Sequence, residues 1–268
     1  MTVLSVKSNE SINTKGGTLP VNWWVDAVYV LSVKTFTDRI QHIKRELAKH
    51  HLEFDFVFEY DPTEITEEAL AETFASSDMK LTHQSLVLKH IHAWRDANRR
   101  GLQRILVFED DVLLANNFTA RFNVALRAAE SLPHGWLIFL GGADTKVPDD
   151  YFLAPGPLVA LPIATTEGYV TDLAAIKLRL AWLAEHQITQ PADHLIRHLD
   201  ETLGIAQYWL TTPILEQGSV IGLFNSVLDT HRQKHSFWFN KIRYQWSKFQ
   251  RHWLRRWLVY FSTYLHRK

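Results

Sequence analysis

The stretch ILVFEDDVLL, residues 105–114, decides how this chain is read. An apolar run ends in three consecutive carboxylates, Glu109, Asp110 and Asp111, and then turns apolar again. That pattern puts clustered negative charge at the end of a buried strand. Adjacent carboxylates repel one another unless a cation or an equivalent partner holds them. A hard divalent ion with oxygen ligands, Mg2+ or Mn2+, fits that need. Such an ion at a strand end is the means by which an enzyme grips a diphosphate.

Outward from this strand, the chain alternates. Residues 26–33 (DAVYVLSV) read as a strand and 37–51 as a helix with Thr37 at its N-cap. Residues 53–60 (EFDFVFEY) alternate with period two and read as a strand. A short acidic helix is expected over 63–73, capped at Thr63 or Thr66, and a longer one over 82–99. After the acidic strand come a helix at 117–131, a strand at 135–142, and a Pro-, Asp- and Gly-rich loop to 157. A strand at 157–165, helices at 170–186 and 191–203, and a strand at 205–211 complete the body. This alternation predicts an α/β layered fold with a mostly parallel central sheet flanked by helices. Ligands of such sheets sit outside the carboxyl ends of the strands, where the acidic cluster falls. His90 and His92 are two apart on a helix, share no face, and make a poor metal pair.

The 268 residues, 46% of them hydrophobic, suffice for one large domain with an appendage. With no cysteine there is no disulfide, thiolate metal site or cysteine nucleophile, which suits a reducing cytoplasm. MTVLSVKSNESINTKGG lacks the pattern of a signal peptide, and no apolar run is long enough to span a bilayer. The expectation is a cytoplasmic protein, peripheral on the inner face of the inner membrane.

The formal net charge of zero hides an asymmetry. Residues 232–268 carry ten Lys/Arg and no Asp/Glu, which leaves 1–231 with a net charge of −10. In the tail, Ile242, Trp246, Phe249, Trp253, Trp257, Tyr260 and Tyr264 recur at steps of three or four, one stripe of a helix. Lys241, Lys248, Arg251 and Arg255 fall on the other side. Two readings stand: an interfacial helix that meets an anionic membrane through 236–268, or a helix that packs its stripe on the core and solvates its charges. No nucleic acid is expected, since no binding motif accompanies the basic tail. The division expected is an extension at 1–25, a catalytic domain at 26–231 and a basic amphipathic helical tail at 232–268.

Several blocks, in order, resemble glycosyltransferase family 25, which makes lipooligosaccharide or lipopolysaccharide core structures. VYVLSVKTFTDRIQHI supplies the opening strand and an Arg-containing helix with Asp38–Arg39. DMKLTHQSLVLKHIHAW matches the family's Gly-Cys-x-Leu-Ser-His block, with Asp78 and Met79 for Gly and Cys, Thr82 for Ser, and His83 kept. VFEDDV is the acidic strand end, and TTEGYVTDLAAIKL resembles a Gly-Tyr segment. PADHLI offers Asp193 at an acidic position, and TPILEQGSVIG resembles the C-terminal Pro…Gln…Ser segment.

The resemblance implies a GT-A-like nucleotide-sugar-binding fold. It implies transfer of a hexose, galactose or glucose, from a UDP-sugar to a lipid-linked oligosaccharide acceptor, with inversion. Asp111 is favoured as the metal ligand, with Glu109 or Asp110 on metal or ribose; Glu109 and Asp111 share a side of the strand. A divalent metal (Mn2+ or Mg2+) would neutralise the departing diphosphate. The base that takes the acceptor proton is Asp193 or, second, Asp144. Arg39, Thr82, His83, Gly168 and Tyr169 are expected at donor or acceptor. Each has a structural competitor: an ordinary surface cation for Arg39, a helix cap for Thr82 and His83, a turn with a core aromatic for Gly168–Tyr169, and a favourable helix-dipole charge for Asp193. A nucleotide-sugar hydrolase and a lapsed, membrane-surface carbohydrate-binding protein are the alternatives.

Overall fold

The computed structural model describes residues 17–142, 147–224, 242, 246 and 249–265. In chain order the elements are α1 (Val21–Trp24), β1 (Ala27–Leu31), α2 (Thr37–Ala48), β2 (Asp55–Val57), α3 (Glu67–Thr73), α4 (Leu81–Arg100), β3 (Arg104–Glu109), β4 (Val112–Leu114), α5 (Phe118–Ala129) and β5 (Trp136–Phe139). A 3-10 turn at Asp149–Leu153 leads to β6 (Leu158–Ala160), β7 (Gly168–Asp172), α6 (Leu173–Leu183), α7 (Ala192–Leu203), β8 (Ala206–Leu210) and β9 (Leu215–Gln217). A π-helical turn at Phe249–Leu254 runs into a last helix, Arg255–Leu265.

Seven strands form one sheet in the order β2-β1-β3-β7-β5-β8-β6. β1 pairs in parallel with β2 and β3, and β5 with β8. β7 is antiparallel to both β3 and β5, and β6 is antiparallel to β8. Five of the seven strands therefore point one way, and the mostly parallel sheet flanked by helices is as expected. A second, two-stranded sheet joins β4 to β9.

Period-two alternation sorts the strand side chains onto two faces. Tyr29, Leu31, Ile105, Val107, Leu137, Phe139 and Tyr169 face α4, α6 and α7, around the fully buried Trp94 and Trp209. Val28, Val30, Leu106, Phe108, Ile138 and Val170 face α2 and α5, with Val21 and Trp24 of α1 packed on the same side. Both sheet faces are covered, which is why these strands read as continuous apolar runs. Among the described residues no helix is long and apolar enough to cross a membrane.

The structure corrects several local expectations. The helix expected from 170 starts at Leu173; before it, Gly168–Asp172 is a buried strand in the middle of the sheet. Asp172 ends that strand by capping α6, accepting from Ala175 N at 2.9 Å. It also accepts from Gly135 N at 2.8 Å, which ties the start of α6 to the start of β5. A five-residue strand that flows straight into a helix leaves no turn signal between them. Thr37 lies inside α2, whose N-cap is Phe36. Thr66 caps α3, accepting from Ala69 N at 3.2 Å, so that helix starts later than 63. Of the strand expected over 157–165 only Leu158–Ala160 pairs.

Candidate active site

β1, β3 and β5 end at one edge of the sheet, and the antiparallel β7 begins there. The residues beyond these ends, Ser32, Glu109–Asp111, Gly142 and Thr165–Glu167, line one pocket of about 580 Å³. The N-terminal turns of α4 and α7 supply its other wall through Thr82, His83, Asp193 and His194. β9 and the turn after it close the mouth with Glu216, Gln217 and Ser219. A cleft at the carboxyl ends of parallel strands, beside two helix N-termini, is where a phosphorylated ligand is expected in an α/β sheet.

Each carboxylate of the triplet has a different task. Asp110 is buried and committed on both oxygens: Ser32 Oγ donates at 2.7 Å and Arg39 Nη1 at 2.9 Å. Burial pushes its carboxyl up, opposed by the Arg39 charge and the two hydrogen bonds. Asp110 is thereby a brace between β1, α2 and β3, and Arg39 is ion-paired at the pocket wall.

Asp111 is also buried, and its Oδ2 accepts from Ser219 N at 3.1 Å. Its Oδ1 is buried without a hydrogen-bond partner. A buried carboxylate oxygen left that way is costly unless something outside the chain engages it. The turn after β9 is pressed onto this residue: Gly218 N donates to Asp111 O at 2.7 Å. A Cβ on Gly218 would stand 2.5 Å from that same oxygen, so only glycine permits the approach.

Glu109 faces the same pocket. Burial raises its carboxyl to about 8, and the Asp111, Glu167 and Asp110 charges add to the rise. Glu167 is raised as well, by burial first and by Asp111 among the charges. Glu109, Asp111 and Glu167 thus form a mutually repelling group that a proton or a cation relieves. Among the described residues no three His, Asp or Glu side chains are spaced to enclose a metal by themselves. Two carboxylates suit an ion that keeps water and takes its remaining ligands from a diphosphate. The unpartnered Asp111 oxygen and the elevated Glu109 fit a hard divalent cation of that kind.

On the helical wall, Asp193 lies in the first turn of α7, half exposed, with His194 Nε2 at 3.9 Å. Burial pulls His83 down, with Lys80 in the same direction and the nearby Asp193 opposing. Thr82 is in the first turn of α4 and does not cap it; the N-cap is Lys80. Below them Lys89, almost fully buried, donates to Asp61 Oδ1 at 2.8 Å and to Glu59 O at 2.7 Å. Asp61 in turn accepts from Lys34 N at 2.8 Å, so this buried ion pair fixes the loops after β1 and β2 where they edge the pocket.

Of the residues singled out in the sequence, Arg39, Thr82, His83, Glu109, Asp110, Asp111 and Asp193 come together around the pocket. Gly168 and Tyr169 do not. Gly168 is packed inside β7, where a Cβ would meet Leu215 at 2.5 Å. Tyr169 is fully buried; its hydroxyl lies 2.9 Å from His90 Nδ1 and accepts from Trp94 Nε1 at 3.0 Å. The core reading of this pair is the one the geometry favours. Asp144 lies outside the described residues. Ser32, Lys89 and Glu167 line the pocket without having been singled out in the sequence, whereas Gln217 and Ser219 belong to the Pro…Gln…Ser segment. Of these three, Glu167, an acid just before a buried Gly-Tyr strand, carries a visible signal.

Residues 25–145 match the model of glycosyltransferase family 25 (LPS biosynthesis protein). The human protein named inactive glycosyltransferase 25 family member 3 is 34% identical over 119 residues, 44% of this chain and 19% of that protein. Lacto-N-neotetraose biosynthesis glycosyltransferase LgtB of Neisseria meningitidis serogroup B is 32% identical over 90 residues, 32% of this chain and 33% of that protein. Lipooligosaccharide biosynthesis protein lic2B of Haemophilus influenzae is 32% identical over 94 residues, 33% of this chain and 35% of that protein. The matched stretches thus span about a fifth of the human relative and about a third of the bacterial ones. The apo structure of mouse xyloside xylosyltransferase 1 is a distant likeness, with a TM-score of 0.40 and 11% identity over 69% of this chain and 84% of that one. The stretch that is similar to this family, residues 25–145, includes the first strand, the His83 block and the acidic strand end.

Proposed function

We propose that the protein is a glycosyltransferase that moves a hexose from a UDP-sugar to a lipooligosaccharide or lipopolysaccharide core acceptor, with inversion and with a divalent cation. The observation that carries this reading is the Asp111 side chain: a buried carboxylate with one unpartnered oxygen, beside an elevated Glu109, at the strand end of a pocket large enough for a nucleotide sugar. The two bacterial relatives named for lipooligosaccharide or lacto-N-neotetraose synthesis support the acceptor class.

Asp111 and Glu109 would hold the cation. When bound, it supplies positive charge to the departing diphosphate. The chain does the rest. Asp110 fixes Arg39 at the pocket wall, and the Lys89–Asp61 pair fixes the loops after β1 and β2 at the pocket edge. Asp193, half exposed between His83 and His194, accepts the proton of the acceptor hydroxyl as that oxygen attacks the anomeric carbon. As that bond forms, the bond from the anomeric carbon to the diphosphate oxygen breaks and the nucleoside diphosphate leaves, so donor, base and acceptor must align within one cleft.

Asp111→Ala tests the donor site directly. Titration with UDP and Mn2+ should show metal-dependent binding in the parent and none in the variant, while both keep the same circular dichroism. Equal binding in the variant would refute the role of Asp111. A second reading is favoured by the name of the human relative, which marks it as inactive. A lapsed enzyme would bind the sugar nucleotide and release no UDP with any acceptor.

A further inference from the structure

The last helix is inside out. An ordinary surface helix buries its apolar face and solvates its charges. Here Arg255, at the start of Arg255–Leu265, turns toward the body. Its Nε donates to Asp149 Oδ1 at 2.9 Å and its Nη1 to Val147 O at 2.6 Å, and its guanidinium lies 5.7 Å from the centre of the Phe152 ring. Arg256 lies near enough to Tyr151 for its charge to pull on that buried phenol, and Val259 packs against the core. The aromatic side is left in solvent: Trp253 is 68% exposed, Trp257 55% and Phe261 50%, with Leu254 and Leu258 also exposed. These rings stack along one edge. Trp246 and Phe249 are 5.8 Å apart, Phe249 and Trp253 5.8 Å, and Trp257 and Phe261 5.4 Å. The charged anchors hold the helix with its apolar ladder facing outward.

We infer that this ladder docks the protein on the surface of an anionic lipid bilayer. Charge decides the occupant. Residues 232–268 carry ten Lys/Arg and no Asp/Glu, and the rest of the chain has a net charge of −10. Two copies joined ladder to ladder would bring two strongly basic tails together. A ladder laid on the acidic body of a second copy finds no matching stripe. The exposed large apolar residues elsewhere among those described are single ones on separate elements, such as Trp23, Leu81, Val124 and Leu178. A bilayer with anionic headgroups offers both counterparts, an apolar boundary for the rings and negative charge to match the net positive charge of this segment of the sequence. The acidic body then stands off the membrane, which keeps the aromatic edge as the contact. This inference does not depend on the chemistry of the pocket.

The test is flotation of the full-length protein with vesicles of phosphatidylcholine alone or mixed with phosphatidylglycerol. Binding to the anionic vesicles, weaker at high salt, is expected. The triple variant Trp253→Ser, Trp257→Ser, Phe261→Ser removes exposed rings, so its melting temperature should stay with the parent. Its partition onto anionic vesicles should fall by roughly a hundredfold, from the apolar area withdrawn. Absence of parent binding to anionic vesicles would overturn the inference. So would equal flotation of the variant, or a stable dimer of the parent that the variant dissolves.

Discussion

Replacing Glu109 with glutamine removes a carboxyl that the site holds protonated near neutral pH. Its ordinary value is 4.5 and the pocket raises it to about 8. A cation that uses this oxygen must displace the proton, so metal affinity and pH are linked. About 3% of the group is ionised at pH 6.5 and about three quarters at pH 8.5, given that value. Mn2+ should therefore bind the parent more tightly at pH 8.5 than at pH 6.5 by a factor on the order of ten or more. Calorimetry in two buffers of different ionisation enthalpy counts the protons released: close to one at pH 6.5 and about a quarter of one at pH 8.5. In Glu109→Gln the binding should be weaker and nearly flat with pH. The stability of the metal-free protein carries the opposite signature. A carboxyl raised on folding contributes stability that is fully present below 4.5 and is lost as pH rises through about 8. The glutamine variant should thus gain on the parent in EDTA at pH 8.5, and not at pH 4. Parent Mn2+ binding that releases no proton and does not change between pH 6.5 and 8.5 would refute the placement of the cation on Glu109.

Other consequences follow from single contacts. Tyr169→Phe strips a partner from His90 and Trp94 and should cost about 1–3 kcal/mol in urea unfolding; donor affinity should stay within about twofold of the parent, and a large loss would restore Tyr169 to the binding site. Lys89→Met leaves Asp61 buried with only the Lys34 amide and should cost about 3–5 kcal/mol; a change under 1 kcal/mol would show that water reaches the pair. Asp193→Asn should lower acceptor-dependent turnover by roughly 10²–10⁴ while UDP affinity holds, and unchanged turnover would exclude Asp193 as the base.

What the sequence made legible was the part that depends on short-range pattern. The apolar run into Glu109–Asp110–Asp111 could be placed at a strand end because both strand and charge are local features. The antiparallel β7 was hidden, because Val170–Thr171–Asp172 leads into α6 with no punctuation and its strand partners, Phe108 and Phe139, are far away in sequence. The same distance hid the division of labour among the three acids. Ser32 and Arg39 claim Asp110 from other elements, and Ser219 reaches Asp111 across 108 residues. Lys89 looked like one more helix lysine; only the fold shows it sealed against Asp61. In the tail the stripe was readable at its spacing of three and four, but which side faced the body was not. That was set by Asp149 and Phe152, which receive Arg255 from a part of the chain about a hundred residues earlier.

The most direct measurement is UDP release by the purified full-length protein, given UDP-galactose, UDP-glucose or UDP-N-acetylglucosamine, with Mn2+ or EDTA, and with or without a truncated lipooligosaccharide acceptor. The account predicts release from one UDP-hexose that requires both the metal and the acceptor and disappears in Asp111→Ala. Release that ignores the acceptor would make the protein a hydrolase, and no release alongside intact UDP binding across a range of core acceptors would contradict the transferase reading.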